Sequence, residues 1–296
     1  MGKASRRRKA STTDNGDGSG RAPRRGRGTA APFVQRPFEG LAGESDLVAL
    51  REIVPAATAT LTTKQGQVVT LATVLPMAWP GLHRADEQVF IAAQTGGSSG
   101  DASRDLAAQL LATADQEPGT PLVHPPAVTA DTPRLQDLIV NDPVDVTVHE
   151  GFQFWVDGQE LDADAQASLE QANASAIPTT KLERTPSAYW HRIGDRTHVR
   201  LVLPDAEDQA TDALARLWAA GSAGLGEATR LLGAFRTCGL LVPVFDLDPT
   251  LPADAYEEPL AEWMGRYRAS LEDSEPLTGE ERRAKSGVLS RQITLR

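Results

Sequence analysis

Cysteine is nearly absent, because the 296-residue sequence contains only Cys238. A single thiol excludes an intrachain disulfide and any metal site built from several thiolates. We expect Cys238 to be buried and unreactive, since it closes an apolar stretch, residues 227–238, that predicts a helix.

Long apolar runs are also absent, and none approaches the ~20 residues that a membrane-spanning helix requires. The N-terminus is basic but lacks the apolar core of a secretory signal. Aromatic residues make up 5% of the chain, so aliphatic side chains must fill most of the interior. These absences predict a soluble, cytoplasmic protein that does not associate with membranes.

Most motifs that carry a defined chemistry are missing too. The sequence has no phosphate-binding loop ending in Lys-Ser or Lys-Thr, and no His-Glu-x-x-His zinc motif. It therefore predicts neither a cofactor nor a metal ion. Whether the protein is an enzyme stays open, because active sites are also assembled from residues that form no linear motif.

Charge is distributed unevenly along the chain, whose net charge is −10. Residues 1–30 hold nine basic and two acidic residues, a net of +7, so the remainder carries −17. Residues 1–31 also lack aliphatic side chains larger than alanine, apart from Met1 and Pro23, and therefore predict a disordered basic leader. Its candidate binding residues for RNA or another anionic partner are Arg6, Arg7, Arg8, Lys9, Arg24, Arg25 and Arg27. The alternative is a leader that only keeps the protein soluble.

Beyond the leader, the residue pattern predicts an α+β fold with largely antiparallel sheets and flanking helices. The first half-unit, residues 32–156, is predicted to contain helices over 46–54 and 101–114 and strands over 57–62, 67–74, 88–94 and 152–156. The second half-unit, residues 157–296, is predicted to contain helices over 162–176 and 207–220, strands over 179–183, 188–193 and 197–203, and C-terminal helices.

The two half-units resemble each other. Each leaves a helix through a proline, Pro55 or Pro178, into a strand, and residues 105–111 echo residues 212–218. These echoes predict an internal duplication of a helix–three-strand–helix unit, with the two copies forming either separate units or one compact domain.

The most informative local feature is a predicted hairpin at residues 189–200. If Gly194 and Asp195 form a two-residue turn, His191 lies directly opposite His198. Strand alternation then places Tyr189, His191, His198 and Arg200 on one face. Two facing imidazoles beside an arginine are candidate catalytic or anion-binding groups. We expect the simpler outcome, a solvent-exposed polar face.

A glycine-rich loop from Gly96 to Gly100 lies between a predicted strand and a predicted helix. Backbone amides at a helix N-terminus can hold a phosphate. However, Asp101 places a carboxylate where the anion would bind. A loop capped by Ser99 or Asp101 is therefore the expected interpretation.

Several segments together carry a resemblance to a known family. They are residues 36–40 (RPFEG), 48–57, 71–79, 225–232 and 277–283. On these the chain resembles the domain-of-unknown-function family DUF5926, of high-GC Gram-positive bacteria. Some relatives are expected to carry an N-terminal SecA-type zinc motif, which this cysteine-free leader lacks. The resemblance implies no activity.

Two hypotheses of function follow from these features. The first is a non-catalytic binding or adaptor protein whose basic leader docks on an anionic partner. The alternative is an enzyme that acts on a small anionic substrate through the His191, His198 and Arg200 face or through the Gly96–Gly100 loop.

Overall fold

In a computed structural model, which describes residues 29–156 and 163–290, the chain forms two β-sheets with helices on their faces. The helices are α1 (Glu44–Glu52), α2 (Ala102–Ala114), α3 (Leu135–Leu138), α4 (Ala163–Ala174), α5 (Glu207–Ala219), α6 (Glu257–Glu272) and α7 (Gly279–Ser290). The strands are β1 (Ala57–Thr62), β2 (Val68–Ala72), β3 (Gly81–His83), β4 (Val89–Ala92), β5 (Thr120–Leu122), β6 (Val146–Val148), β7 (Thr179–Lys181), β8 (Ala188–Ile193), β9 (Arg196–Leu201), β10 (Arg230–Thr237) and β11 (Leu240–Asp246). The predicted α+β class is confirmed.

The first sheet has the strand order β5-β3-β4-β2-β1-β6. Its neighbouring strands are antiparallel except β2 and β4, which run parallel with Thr70 opposite Phe90. Helices α1 and α2 contribute Leu50 and Leu106 to the hydrophobic cluster that includes Ile91 of β4. The short strands β3 and β5 were not predicted, because each has three residues within a proline-rich segment.

The second sheet has the order β10-β11-β9-β8-β7 and is antiparallel throughout. Helices α5, α6 and α7 cover one face, where Phe245 and Trp263 are fully buried. On the opposite face, Tyr189, Val202 and Leu240 belong to the same hydrophobic cluster as α1 and the first sheet. The two half-units therefore share a core. Their boundary and the internal duplication stay predictions, and the strand orders of the two sheets differ.

The helix predicted over residues 227–238 is wrong. Arg230–Thr237 forms β10, which pairs with β11 from Arg230 opposite Asp246 to Thr237 opposite Leu240. Cys238 and Gly239 form the turn with φ values of 47° and 76°, and a type I′ hairpin turn needs positive φ at both positions. The apolar residues at 231, 232, 234 and 235 fit the periodicity of a helix as well as that of a strand. Pairing with β11 decides that the segment is a strand. Cys238 is half-buried rather than buried as expected, because it lies in this turn. Its partial burial raises the pKa of Cys238, which keeps it a neutral thiol.

The strand predicted over residues 152–156 is also wrong. Gln153–Trp155 is a single turn of 3₁₀-helix. The turn brings the Phe152 and Trp155 rings together, with centroids 4.5 Å apart, and lets Trp155 Nε1 donate a hydrogen bond to Val74 O. Clustering of the aromatic side chains thus takes precedence over their extended-strand propensity.

Candidate functional site

The predicted hairpin at residues 189–200 is present as strands β8 and β9. Gly194 and Asp195 form its turn, Ile193 pairs with Arg196, and His191 lies directly opposite His198. Because side chains alternate along a strand, Tyr189, His191, His198 and Arg200 share one face. The neighbouring strands add Thr179 opposite His191 and Asp246 opposite His198. We call His191, His198 and Arg200 the Arg200 cluster.

The face that carries the Arg200 cluster is buried, so the expected solvent-exposed polar face is wrong. His191 retains 1% of its exposure and Arg200 retains 7%. The cause is tertiary, because Val202 and Leu240, further along this face, pack into the core shared with α1 and the first sheet. The hairpin pattern alone cannot show that a second layer covers it.

Arg200 has no partner for its charge among the residues that the structure describes. Within residues 29–156 and 163–290, no carboxylate forms an ion pair with its guanidinium, and its Nε is buried without a hydrogen-bond acceptor. Burial lowers the Arg200 pKa, in the direction expected of a cation removed from water without a counter-charge. Buried arginines are ordinarily paired, so this one requires an explanation.

His191 is hydrogen-bonded on one side of its ring only. Its Nδ1 lies 3.0 Å from Thr179 Oγ1, whereas its Nε2 is buried without a partner. Burial, together with the neighbouring charges of Arg200 and His198, lowers the pKa of His191 to about 3. His191 is therefore neutral at physiological pH.

His198 connects the buried part of the Arg200 cluster to the surface. Its Nε2 lies 3.6 Å from Asp246 Oδ1, and its Nδ1 is buried without a partner. Burial lowers the pKa of His198, while Asp246 acts in the opposite direction. Asp246 in turn lies 3.5 Å from the exposed Arg230. Exposure thus increases from His191 through His198 to Arg230, which defines the side from which a ligand would approach.

Tyr189 does not belong with the other three predicted residues. Its hydroxyl donates a hydrogen bond to Asp46 Oδ1 of α1 at 3.4 Å, and Ser187 Oγ donates to the same oxygen at 2.8 Å. Burial raises the pKa of Tyr189 and, acting against these two hydrogen bonds, that of Asp46. Tyr189 therefore joins the second sheet to α1.

Two carboxylates lie beside the Gly96–Gly100 loop, whose backbone amides are the candidate anion-binding groups. Asp101 caps α2, as predicted, and accepts a hydrogen bond from Ser103 N. Asp105 accepts hydrogen bonds from Ser99 N and Ser98 Oγ, so this loop amide is already occupied. The loop and Asp105 line a cavity of about 300 Å³, and the Asp105 carboxylate opposes a phosphate there.

The same loop also has the Gly-x-Ser-x-Gly spacing of a hydrolase nucleophile, from Gly96 to Gly100. That motif places its serine on a sharp, strained turn beside a histidine. Ser98 does not have a positive φ, and its hydroxyl donates to Asp105. The spacing therefore does not make a nucleophile of Ser98.

The candidate residues of the leader, Arg6 to Arg27, lie outside the described residues. Thr179, which contacts His191, was missed as a site residue because its pairing with β8 depends on tertiary placement of a three-residue strand.

In residues 29–156 and 163–290, no group of three or more histidine, cysteine or acidic side chains is arranged to hold a metal ion. Within the same ranges, no helix has the length and apolar composition of a membrane-spanning segment.

The chain belongs to the family of unknown function DUF5926, which it matches over residues 37–296. This match confirms the family predicted from the sequence. The bacterial range of the family and the zinc motif of some relatives stay predictions. No curated protein and no solved structure matches the chain.

Proposed function

Since membership of DUF5926 assigns no activity, we propose from the geometry that this protein binds a small anion, or the anionic group of a larger partner, at the Arg200 cluster. The observation that carries the proposal is that Arg200 is only 7% exposed, its Nε is buried without an acceptor, and no described residue supplies a counter-charge. An arginine that is buried without a counter-charge destabilises the fold unless a ligand supplies the missing charge.

Binding is better supported than catalysis by the state of His191. A general acid or base works best with a pKa near the operating pH. The pKa of His191, about 3, leaves it unprotonated and only weakly basic at neutral pH. The Arg200 cluster is therefore suited to holding an anion and poorly suited to moving protons.

Calorimetric titration of the full-length protein with phosphate, sulfate and acetate in a chloride-free buffer tests this proposal. We expect at least one of these anions to bind, and Arg200→Met to abolish that binding. Arg196→Met is the matched control, because Arg196 lies on the same strand and face but is solvent-exposed. Equal affinities of the Arg200 and Arg196 variants, or no binding to the unmodified protein, would refute the proposal.

A second function is supported by the charge difference between the leader, +7 for residues 1–30, and the remaining chain, −17. We propose that the leader docks the protein on an anionic macromolecule such as RNA, which would make the protein an adaptor. Deletion of residues 1–30 is expected to abolish salt-sensitive co-sedimentation with RNA or ribosomes. The idea fails if the intact protein does not co-sediment, or if the deletion leaves co-sedimentation unchanged.

A further inference from the structure

We infer that the anion at the Arg200 cluster is the hydrogen form of a phosphate group, a monoanion that carries its own hydroxyl hydrogen. This inference rests on the proposed anion binding. It comes from counting hydrogen-bond donors and acceptors at the three unpartnered nitrogens of the cluster, His191 Nε2, His198 Nδ1 and Arg200 Nε.

The tautomer of His191 follows from Thr179. The Thr179 hydroxyl donates its single hydrogen to Ile177 O at 2.9 Å. Thr179 Oγ1 must therefore accept at its 3.0 Å contact with His191, so that Nδ1–H of His191 is the donor. A neutral imidazole has one N–H, and its other nitrogen carries a lone pair. The buried, unpartnered Nε2 of His191 is consequently an acceptor that requires a donor.

The tautomer of His198 follows from electrostatics, because no hydrogen bond to its ring forms among the described residues. Asp246 is an acceptor, and its Oδ1 lies 3.6 Å from His198 Nε2, which favours the hydrogen on Nε2. His198 Nδ1 is then a second unpartnered acceptor on the same face. Arg200, by contrast, has only N–H donors.

The Arg200 cluster thus offers one positive charge and two acceptors of hydrogen bonds. Sulfate and carboxylates carry no hydrogen at neutral pH, so they satisfy Arg200 and leave both histidine lone pairs facing a negative charge. The hydrogen form of a phosphate group carries one negative charge and at least one O–H donor. It matches the charge of Arg200 and donates to His191 Nε2 or His198 Nδ1.

The other charged groups around the Arg200 cluster do not change its one positive charge and two hydrogen-bond acceptors. On the same sheet face they are Lys181 of β7, Arg196 of β9, Asp246 of β11 and Arg230 of β10, and Asp46 of α1 contacts Tyr189. Lys181 is paired with Asp145, and Arg230 lies beside Asp246. Arg200 and His198 are the groups whose charges act on His191.

The test is a titration of the full-length protein with a phosphate monoester, glycerol phosphate, and with sulfate at pH 6 and pH 8. The second ionisation of a phosphate ester has a pKa of about 6, so its monoanion falls from roughly half to about one hundredth of the total over this range. We expect the monoester affinity to fall about fiftyfold, and sulfate to bind more weakly with little dependence on pH. A parallel titration with inorganic phosphate shows whether the free ion or the ester binds more tightly.

Thr179→Val separates the role of the tautomer from that of overall fold. Valine has a similar shape but cannot accept from His191 Nδ1, so the hydrogen is free to occupy Nε2. We expect this variant to retain its unfolding temperature within a few degrees and to lose most of the discrimination against sulfate. Long-range ¹H–¹⁵N spectra of the histidine side chains are expected to show hydrogen on Nδ1 of His191 in the unmodified protein only.

The possible outcomes distinguish the two proposals. If sulfate and the monoester bind equally well at both pH values, the hydrogen-phosphate inference is wrong and anion binding stands. If neither binds more tightly to the unmodified protein than to Arg200→Met, anion binding fails and the inference falls with it. Hydrogen on Nε2 of His191 in the unmodified protein would also overturn the inference.

Discussion

His191 and His198 lie directly opposite each other in the β8–β9 hairpin, and the ring nitrogen without a partner among the described residues is Nε2 in His191 but Nδ1 in His198. Thr179 Oγ1 lies 3.0 Å from His191 Nδ1, and Asp246 Oδ1 lies 3.6 Å from His198 Nε2, so in each ring the other nitrogen is the one without a partner among the described residues. One hairpin register therefore places two acceptors next to Arg200.

Acid is expected to destabilise the protein through His191. Its pKa falls from 6.5 to about 3 on folding, so the unfolded state binds more protons below pH 6.5. Stability from this group is fully present above pH 6.5 and is lost as the pH falls, by up to about 1.4 kcal/mol per pH unit. Urea unfolding between pH 7 and pH 4.5 measures the slope. His191→Gln should reduce it, and parallel curves for the two proteins would contradict the prediction.

Removal of the Arg200 charge is expected to stabilise the ligand-free protein. Arg200→Met keeps much of the side-chain volume and eliminates a buried charge that has no counter-charge among the described residues. We expect a gain of about 1–3 kcal/mol in the free energy of unfolding, measured in urea without anions. Arg196→Met is the exposed control and should change stability by less than about 0.5 kcal/mol. A loss of stability in the Arg200 variant would show that an internal partner neutralises the charge.

Gly239 is expected to tolerate no side chain. Its φ is +76°, and an added Cβ would lie 2.7 Å from Arg36 Cβ and 3.0 Å from Arg36 Cα. We expect Gly239→Ala to lower the free energy of unfolding by about 2–4 kcal/mol, because backbone strain and the clash add. Gly66→Ala is the control, since Gly66 has φ +88° and no atom near its absent Cβ. That variant should lose only about 1 kcal/mol, and equal losses would remove the role of the clash.

The ion pair of Arg36 with Glu44 is expected to stabilise the start of α1. Arg36 Nε and Nη2 donate to the two Glu44 carboxylate oxygens at 2.6 and 2.7 Å, and Nη2 also donates to Pro204 O. Because both partners are mostly buried, Arg36→Ala should cost about 1–3 kcal/mol in thermal or urea unfolding. The exposed pair of Arg184 with Glu258 is the comparison, and Arg184→Ala should cost less than about 1 kcal/mol.

The capping box of α7 is expected to contribute about 1 kcal/mol. Glu281 N donates to Thr278 Oγ1, and Thr278 N donates to Glu281 Oε2. Thr278→Ala should therefore lower stability and loosen the C-terminal helix, as hydrogen exchange in α7 can measure. Thr278→Ser retains the hydroxyl and should restore most of the loss. Unchanged exchange in the alanine variant would show that packing against α5 and β10 holds α7 without the capping box.

Local signals predicted most of the elements correctly. The hairpin of β8 and β9 followed from a turn and strand alternation, and the α2 cap followed from Asp101, because both depend on contacts between residues close in sequence. The segment 230–237 failed because its apolar residues fit a helix as well as a strand. Only its pairing with β11, through a turn at Cys238 and Gly239, decides between them.

By itself the sequence determined the α+β class, the hairpin register and the set of side chains on the face of the Arg200 cluster. The tertiary structure alone decided that this face is buried, that Thr179 Oγ1 lies 3.0 Å from His191 Nδ1, and that no described residue supplies a counter-charge for Arg200. Strand periodicity specifies which side chains share a face, but burial depends on the layer that packs against that face. For Arg200, that second layer turns an ordinary surface arginine into a candidate anion site.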